Sequence, residues 1–522
     1  MSKRHDQFQF AHVPTADIPR STFDRSYGHK TTFDAGYLVP IFADEALPGD
    51  TFQVNASLFA RLATPIFPVM DNMYMDVFFF FVPNRLLWDN WQKFMGEQRS
   101  PGESTDYLVP EITASVGGFG VQSPFDYLGI PAAVGGIKVC AFWPRAYNLI
   151  WNEWFRDENL QNPVSVPTDD GPDSPADYVL LRRGKRHDYF TSCLPWPQKG
   201  PGVMLPLGTS APVRTDEIGA GDLGVRNQAG LLSNLDTAGA TLKIGAGVAP
   251  DVGALYADLS NATAATINSL RQAFQIQKLL ERDARGGTRY VEILKAHFGV
   301  TSPDARLQRP EFLGGGEIPV IINPVAQSSG TPPTSGGYTS TPQGNLAGYG
   351  VVSGGGIGFS KSFVEHGVIL GLMAVRADIS YQFGIQRMFS RRTRYDFYWP
   401  AFSHLGEQAV LNKEIYQSAN ATIDDEVFGY QERWAEYRYK PSIITGKFNS
   451  YILPDTTLDA WHLAQAFTSL PTLGDTFIQD TPPVDRIVAV QSEPQFLFDS
   501  HFRIKCTRPM PTYSVPGFID HF

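Results

Sequence analysis

Clusters of cations are the residues whose type and spacing best suit chemistry, and the chemistry is the holding of phosphate. Lys3-Arg4-His5 lies near the N-terminus. Arg182-Arg183 and Lys185-Arg186-His187 run into Asp188-Tyr189-Phe190. Arg391-Arg392-Thr393-Arg394 precedes Tyr395, Phe397, Tyr398 and Trp399, and Arg503, Lys505 and Arg508 lie near the C-terminus. Guanidinium and ammonium groups pair with phosphates while neighbouring rings stack on bases, so such interleaving suits a single strand of nucleic acid. We take Lys3, Arg4, Arg391, Arg392, Arg394, Arg503 and Lys505 as candidates for a surface facing nucleic acid. The plainer reading of each cluster is a salt bridge between subunits or a solvated loop.

The patterns of bond-making chemistry are absent from the sequence. Ser353-Gly-Gly-Gly-Ile-Gly-Phe lacks the Lys-Ser/Thr of a phosphate-cradling loop, so it and Gly314-Gly315-Gly316 read as flexible loop. The oxygens of Asp424-Asp425-Glu426 suit Ca²⁺ or Mg²⁺. Three adjacent side chains rarely converge, however, and a solvated turn is expected there. The ten histidines form no HExxH pair, and no GxSxG elbow is present. Cys140, Cys193 and Cys506 are odd in number and far apart, which fits neither a disulfide framework nor a zinc site and suits a reducing compartment. Glu153 and Asp157 lie on one predicted helix, a poor place to flank a glycosidic bond. No catalytic residue, cofactor or metal is therefore assigned.

The elements that must position these residues are mostly strands. The 522-residue chain is 43% hydrophobic, only 18% charged, and carries 48 Gly and 39 Pro, so many turns and long loops are expected. In Thr51–Leu62, Phe52, Val54, Ala56, Leu58, Ala60 and Leu62 alternate with polar residues, the mark of a strand with one buried face. Met73–Val82 is apolar on both sides, as in a strand covered on both faces. Strand patterns return at His366–Tyr381, Arg433–Lys440, Ile443–Leu453 and around Phe502-Ile504-Cys506. Helices are expected from Asn84 to Gly96 and from Pro144, where Tyr147, Ile150, Trp151 and Trp154 form a core or contact stripe. A helix from Ser260 or Asn261, a Gly286-Gly287 break and a Thr288-capped helix ending at Gly299 follow. Residues 1–50 read as an extended arm and 51–522 as a single domain. Its insertions fall at about 84–200, 208–259, 260–300 and 324–358. Early and late strands with helices between them fit a β-sandwich with enlarged connections better than a doubly wound sheet.

Net charge is −10, so wrapping nucleic acid by bulk charge is excluded. The N-terminus MSKRHDQFQF is no signal peptide, and no apolar run approaches the ~20 residues that span a bilayer. A soluble protein of the cytoplasm, without membrane insertion, is expected.

Several blocks resemble the major capsid protein of gokushoviruses, small single-stranded-DNA bacteriophages of the microvirus family. They are HVPTADIPRSTFDRS (12–26), GDT (49–51), FFVPNRLLWDNWQKFMGE (80–97), FWPRAYNLIWNEWFRDENL (142–160), RGKRHDYFTSCLPWPQKG (183–200), the segment 271–316 and PQGNLAGYG (342–350). The resemblance implies a viral jelly roll, an eight-stranded antiparallel β-sandwich with long loop and helical insertions. It further implies a homo-oligomeric T=1 icosahedral shell around circular single-stranded DNA, assembled in a bacterial cytoplasm. The implied partners are a scaffolding protein, a DNA pilot protein, a small basic DNA-binding protein and a host surface receptor. Residues 208–259 are the first candidate for a threefold protrusion, and 332–358 the second.

Two other functions compete. A β-sandwich carbohydrate-binding protein would use its rings as sugar platforms. A host single-stranded-DNA-binding protein would bind with steep salt dependence, and the acidic charge disfavours it.

Overall fold

The computed structural model describes residues 19–203, 213–215, 224–226, 232–238, 241–244, 255–257, 267–286, 290–299, 308–326, 346–451 and 457–513. The chain divides into two compact units, one of residues 1–195 and 303–522, the other of residues 196–302.

The larger unit is built on one antiparallel sheet. Its strands are β1 (Ser21–Asp24), β2 (Tyr27–Phe33), β3 (Val39–Ala46), β4 (Thr51–Leu62), β5 (Met73–Pro83), β6 (Glu311–Ala326), β7 (Leu346–Ser362), β8 (Gly367–Ala377) and β9 (Phe496–Arg508). The order is β1-β9-β4-β7-β6-β5-β8-β3, with β2 also on β9. β1 pairs with Lys505–Arg508 and β2 with Phe496–Phe502, so the two strands share one lane along β9. Nine strands thus fill eight lanes. Along the chain successive lanes alternate between the two halves of the sheet, except that β5 and β6 are neighbours in one half, which is the winding of a jelly roll.

The sheet curls because β6 and β7 pair only at Ile321–Ala326 and Leu346–Val351. Beyond that point β6 stays with β5 and β7 with β4, giving two layers face to face. The expected alternation of β4 is complete, its six apolar residues buried and Gln53, Asn55, Ser57, Phe59 and Arg61 exposed. Opposite it, β9 sets Phe498 beside Ala60 and Phe502 beside Ala56, large against small on one face. Ring pairs Phe42–Phe502 (5.3 Å) and Phe79–Phe359 (5.4 Å) span the layers.

β5 is buried on both faces, as its composition predicts. Its outer side is covered by α1 (Phe142–Ile150), whose Ala146, Tyr147 and Ile150 pack with Phe80, Leu370 and Leu372. The aromatic stripe is therefore core, and only Trp154 reaches the rim. Arg145 of α1 is fully buried. It holds Asp173 through two bonds of 2.8 and 2.6 Å and donates to the carbonyls of Leu87 and Asp169.

Several expectations need correction. The glycine runs are strand, not loop: Gly314–Gly316 pairs with Val77–Phe79 in β5, and 353–358 lies in β7. There Gly356, at φ +82°, forms a bulge, a conformation other residues resist. Residues 327–345, the middle of the expected 324–358 loop, lie outside the described residues. Residues 21–46 of the expected arm pair into the sheet, while 1–18 lie outside the described residues. Arg433–Lys440 is not a strand but a short helical turn at Ala435–Tyr437 after Trp434, and among the described residues of Ile443–Leu453 only Ile443 is strand. The expected helix at 84–96 is two short turns, Asn84–Leu86 and Trp91–Phe94. Asp424 is buried, accepting hydrogen bonds from Ser418 and Gln417, whereas Asp425 pairs with Lys413.

In the smaller unit, short strands pair within 213–257, and α2 (Ile267–Arg285) is followed by α3 (Tyr290–Phe298). Gly286 lets the helices approach, since a Cβ there would lie 2.5 Å from that of Ala296. His297 and Asp283 pair across them at 2.6 Å. Gly287 and Thr288, the expected break and cap, lie outside the described residues.

Candidate nucleic-acid interface

The seven candidate cations separate into three groups. Lys3 and Arg4 lie outside the described residues. Arg503 and Lys505 project from the exposed face of β9, in register with Asn55 and Gln53 of β4. Alternation puts them there, because their neighbours Phe502, Ile504 and Cys506 fill the core. Asp24 lies opposite Lys505, and its carboxyl is held below the usual range by hydrogen bonds from Ser26, with Lys505 and Arg503 adding a smaller pull.

Arg391, Arg392 and Arg394 occupy a chain of tight turns, Arg387–Phe389, Arg394–Asp396 and Pro400–Phe402, far from strand geometry. Asp396 pins the middle turn by accepting from the backbone of Arg392 and Thr393 at 2.8 and 2.6 Å. This holds its carboxyl below the ordinary value. Arg392 and Arg394 are exposed, and Arg394 stacks 5.0 Å from the ring centre of Trp399. Arg391 is different. Its side chain is 10% exposed, pairs with Glu436 at 3.4 Å and lies 4.3 Å over Tyr437 and 5.5 Å from Phe397. Tyr395, Phe397, Tyr398, Trp399 and Tyr437 are all exposed, so guanidinium groups and rings alternate on one surface.

These turns rest on a hairpin of Glu407–Leu411 and Val427–Glu432 and on a satellite core of Tyr189, Phe190, Tyr381, Val410, Ile415 and Phe428. The hairpin side contributes residues that the sequence reading missed. Arg387 donates to the Ala409 carbonyl at 2.6 Å and lies 3.5 Å from Glu414. Burial pushes the Glu414 carboxyl above its ordinary value, although Arg387 opposes this and Tyr189 donates to it at 3.0 Å. Arg433 stacks 4.6 Å over Trp434, which holds the left-handed φ of +67° that bulky residues rarely adopt. The only sequence signal for these groups was the abundance of rings around them.

The second basic run, Arg182–Arg186, is absorbed into the fold. Arg183 and Arg376 both bind the buried Asp76. Arg182 lies 3.9 Å over Tyr37, Lys185 donates to Gln465 at 2.8 Å, and Arg186 pairs with Glu317 at 2.6 Å. Burial lowers Lys185 to about 8 and raises the neighbouring Asp480 to about 7. This run serves internal cohesion.

Among the described residues no group of three or more His, Cys, Asp or Glu side chains is arranged to hold a metal ion. Among the described residues no helix is long and apolar enough to cross a membrane. The fold is a jelly roll that ties its densest basic run into internal ion pairs and presents other rings and cations on open surfaces, a fold that viral shell proteins share with lectins and cupins. Comparison with known proteins gives the family: the chain matches the capsid protein (F protein) family over residues 11–518 and belongs to it. It is 51% identical over 540 residues to capsid protein VP1 of Bdellovibrio phage phiMH2K, covering 100% of both chains. It is 43% identical over 591 residues to capsid protein VP1 of Chlamydia phage 1 (98% and 97% covered), and 36% identical over 540 residues to that of Spiroplasma virus 4 (96% and 95%). The gokushovirus resemblance therefore holds, and the protein is a major capsid protein of the Microviridae type, a component of the virion.

Proposed function

We propose that this chain assembles with copies of itself into a T=1 icosahedral shell that encloses circular single-stranded DNA. Assembly takes place in a bacterial cytoplasm, and the subunit has no catalytic role. The observation that carries the reading is the match to capsid proteins across residues 11–518, which spans the jelly roll. Residues 208–259 form the host-facing protrusion in this reading; their grouping within a compact unit separate from the jelly roll supports it. The cations Lys3, Arg4, Arg391, Arg392, Arg394, Arg503 and Lys505 face the genome. With a net charge of −10, the shell needs a small basic protein to balance the DNA. A scaffolding protein, a DNA pilot protein and a host receptor complete the set of partners.

Electron microscopy of the particle fraction from cells expressing the whole phage genome tests the reading. Uniform small icosahedral particles made chiefly of this chain, with DNA inside, are expected. A soluble monomer apart from any particle would overturn it and favour the carbohydrate-binding alternative.

A further inference from the structure

Two cavities adjoin beneath the arginine-rich turns, and they differ in chemistry. One, of about 120 Å³, has aromatic and aliphatic walls that include Phe190, Tyr381, Met388, Tyr439 and Ile443. The other, of about 200 Å³, is lined by the cations Arg387, Arg391, Arg433 and Lys413 and by the carboxylates Asp396, Glu414 and Glu436. Arg387, Arg391, Glu414 and Glu436 belong to both. The two glutamates engage one side of Arg387 and Arg391. Nη1 of Arg387, Nε of Arg391 and Nε of Arg433 are buried without a hydrogen-bond acceptor among the described residues. A buried donor without an acceptor is costly, and three such donors on residues that line one cavity favour an anionic partner there. Lys413 is already committed to Asp425, so the guanidinium groups supply the recognition.

A ligand that satisfies both cavities at once carries a flat apolar ring on one side and an anionic group on the other. We propose that the paired cavities form a nucleotide site, with a base in the aromatic cavity and its phosphate against Arg387, Arg391 and Arg433. The proposal rests on the DNA-enclosing reading above and deepens it: the subunit holds at least one nucleotide of a single strand in a defined pocket, in addition to diffuse charge contacts. Planar guanidinium edges match phosphate oxygens, and ring walls accept any base, so the site tolerates sequence.

The test is a titration of the purified full-length subunit with deoxyadenosine 5′-monophosphate, deoxyadenosine and inorganic phosphate, read by tryptophan fluorescence. The monophosphate should bind at least tenfold more tightly than either part. Tyr439→Ala and Arg391→Lys should each weaken it at least tenfold, while Leu108→Ser, at an exposed position elsewhere, should not. Tyr439 is 52% exposed, so its loss leaves the fold intact, which a circular dichroism melt verifies. Equal binding of monophosphate and phosphate, or unchanged affinity in both pocket variants, overturns the proposal. So does an Arg391→Lys chain that fails to form shells yet binds the monophosphate normally, which would assign the cavities to a subunit contact. Wild-type shells without monophosphate binding sink the pocket alone; absence of shells sinks the capsid reading itself.

Discussion

Gly354 of β7 and Ile318 of β6 meet between the two layers so closely that a Cβ on Gly354 would stand 2.5 Å from Cδ1 of Ile318. Gly316 stands in the same relation to Ile357, at 3.0 Å. Each glycine is the socket for an isoleucine on the other strand. Gly354→Ala should therefore destabilise the subunit by about 1–3 kcal/mol, the usual cost of overpacking. Pairing it with Ile318→Val should recover part of that loss. Denaturant unfolding of the two single variants and the double variant gives the coupling; strict additivity would show that the contact is not the cause.

Arg145 and Asp173 form a buried ion pair with two direct bonds. Arg145→Met strands a buried carboxylate and should cost about 3–5 kcal/mol. Arg145→Lys should rescue little, because one ammonium cannot reproduce the fork that also reaches the Leu87 and Asp169 carbonyls. Arg145→Met with Asp173→Asn should cost less than the first change alone. Soluble yield and unfolding midpoint read all three.

Asp480 supplies a pH dependence. Burial raises its carboxyl to about 7 despite Arg376, Lys185, Arg183 and Arg182 nearby. The folded chain thus holds a proton that the unfolded chain releases near 4. Stability from this group is complete below about 4 and is lost as pH rises through about 7. Lys185, lowered to about 8, acts in a higher window and gains stability only as pH rises above that value. Thermal melts of the subunit between about pH 5 and 7.5 should fall with pH in the wild type and stay flatter in Asp480→Asn. Parallel curves would remove Asp480 as the source.

Arg503 and Lys505 sit on an open strand face with no core function. Changing both to Gln should alter subunit stability by no more than about 0.5 kcal/mol. Particles should still form, but they should release DNA at lower temperature and lower salt than wild type. Release that matches wild type would mean that this face does not meet the genome.

How far the sequence reveals this molecule depends on the range of the cause. β4, β5 and α1 are legible because burial writes itself into residues two or three to four apart. The glycines of β6 and β7 are not. Composition marks them as loop, while their reason is an isoleucine on the facing strand. The Arg182–Arg186 run looks like a contact surface because Asp76, Arg376 and Glu317, which hold it, are distant in sequence. Arg387, Arg433 and the two glutamates of the paired cavities were missed for the same reason. The order of the family blocks supplied the jelly roll, which local periodicity left as an unspecified sandwich.

β9 lies between the β1/β2 lane and β4, so the strand that joins two early parts of the sheet is made long after both of them. Residues 21–33 and 51–62 leave the ribosome hundreds of residues before their partner at 496–508 exists. One layer of the sandwich cannot close during synthesis, and its pairings are among the most distant in the chain, which makes folding slow. The delay also acts as an inspection step. A polypeptide broken off anywhere before β9 lacks the strand that joins β1 and β2 to β4, so a prematurely terminated subunit has no finished wall to offer a growing shell.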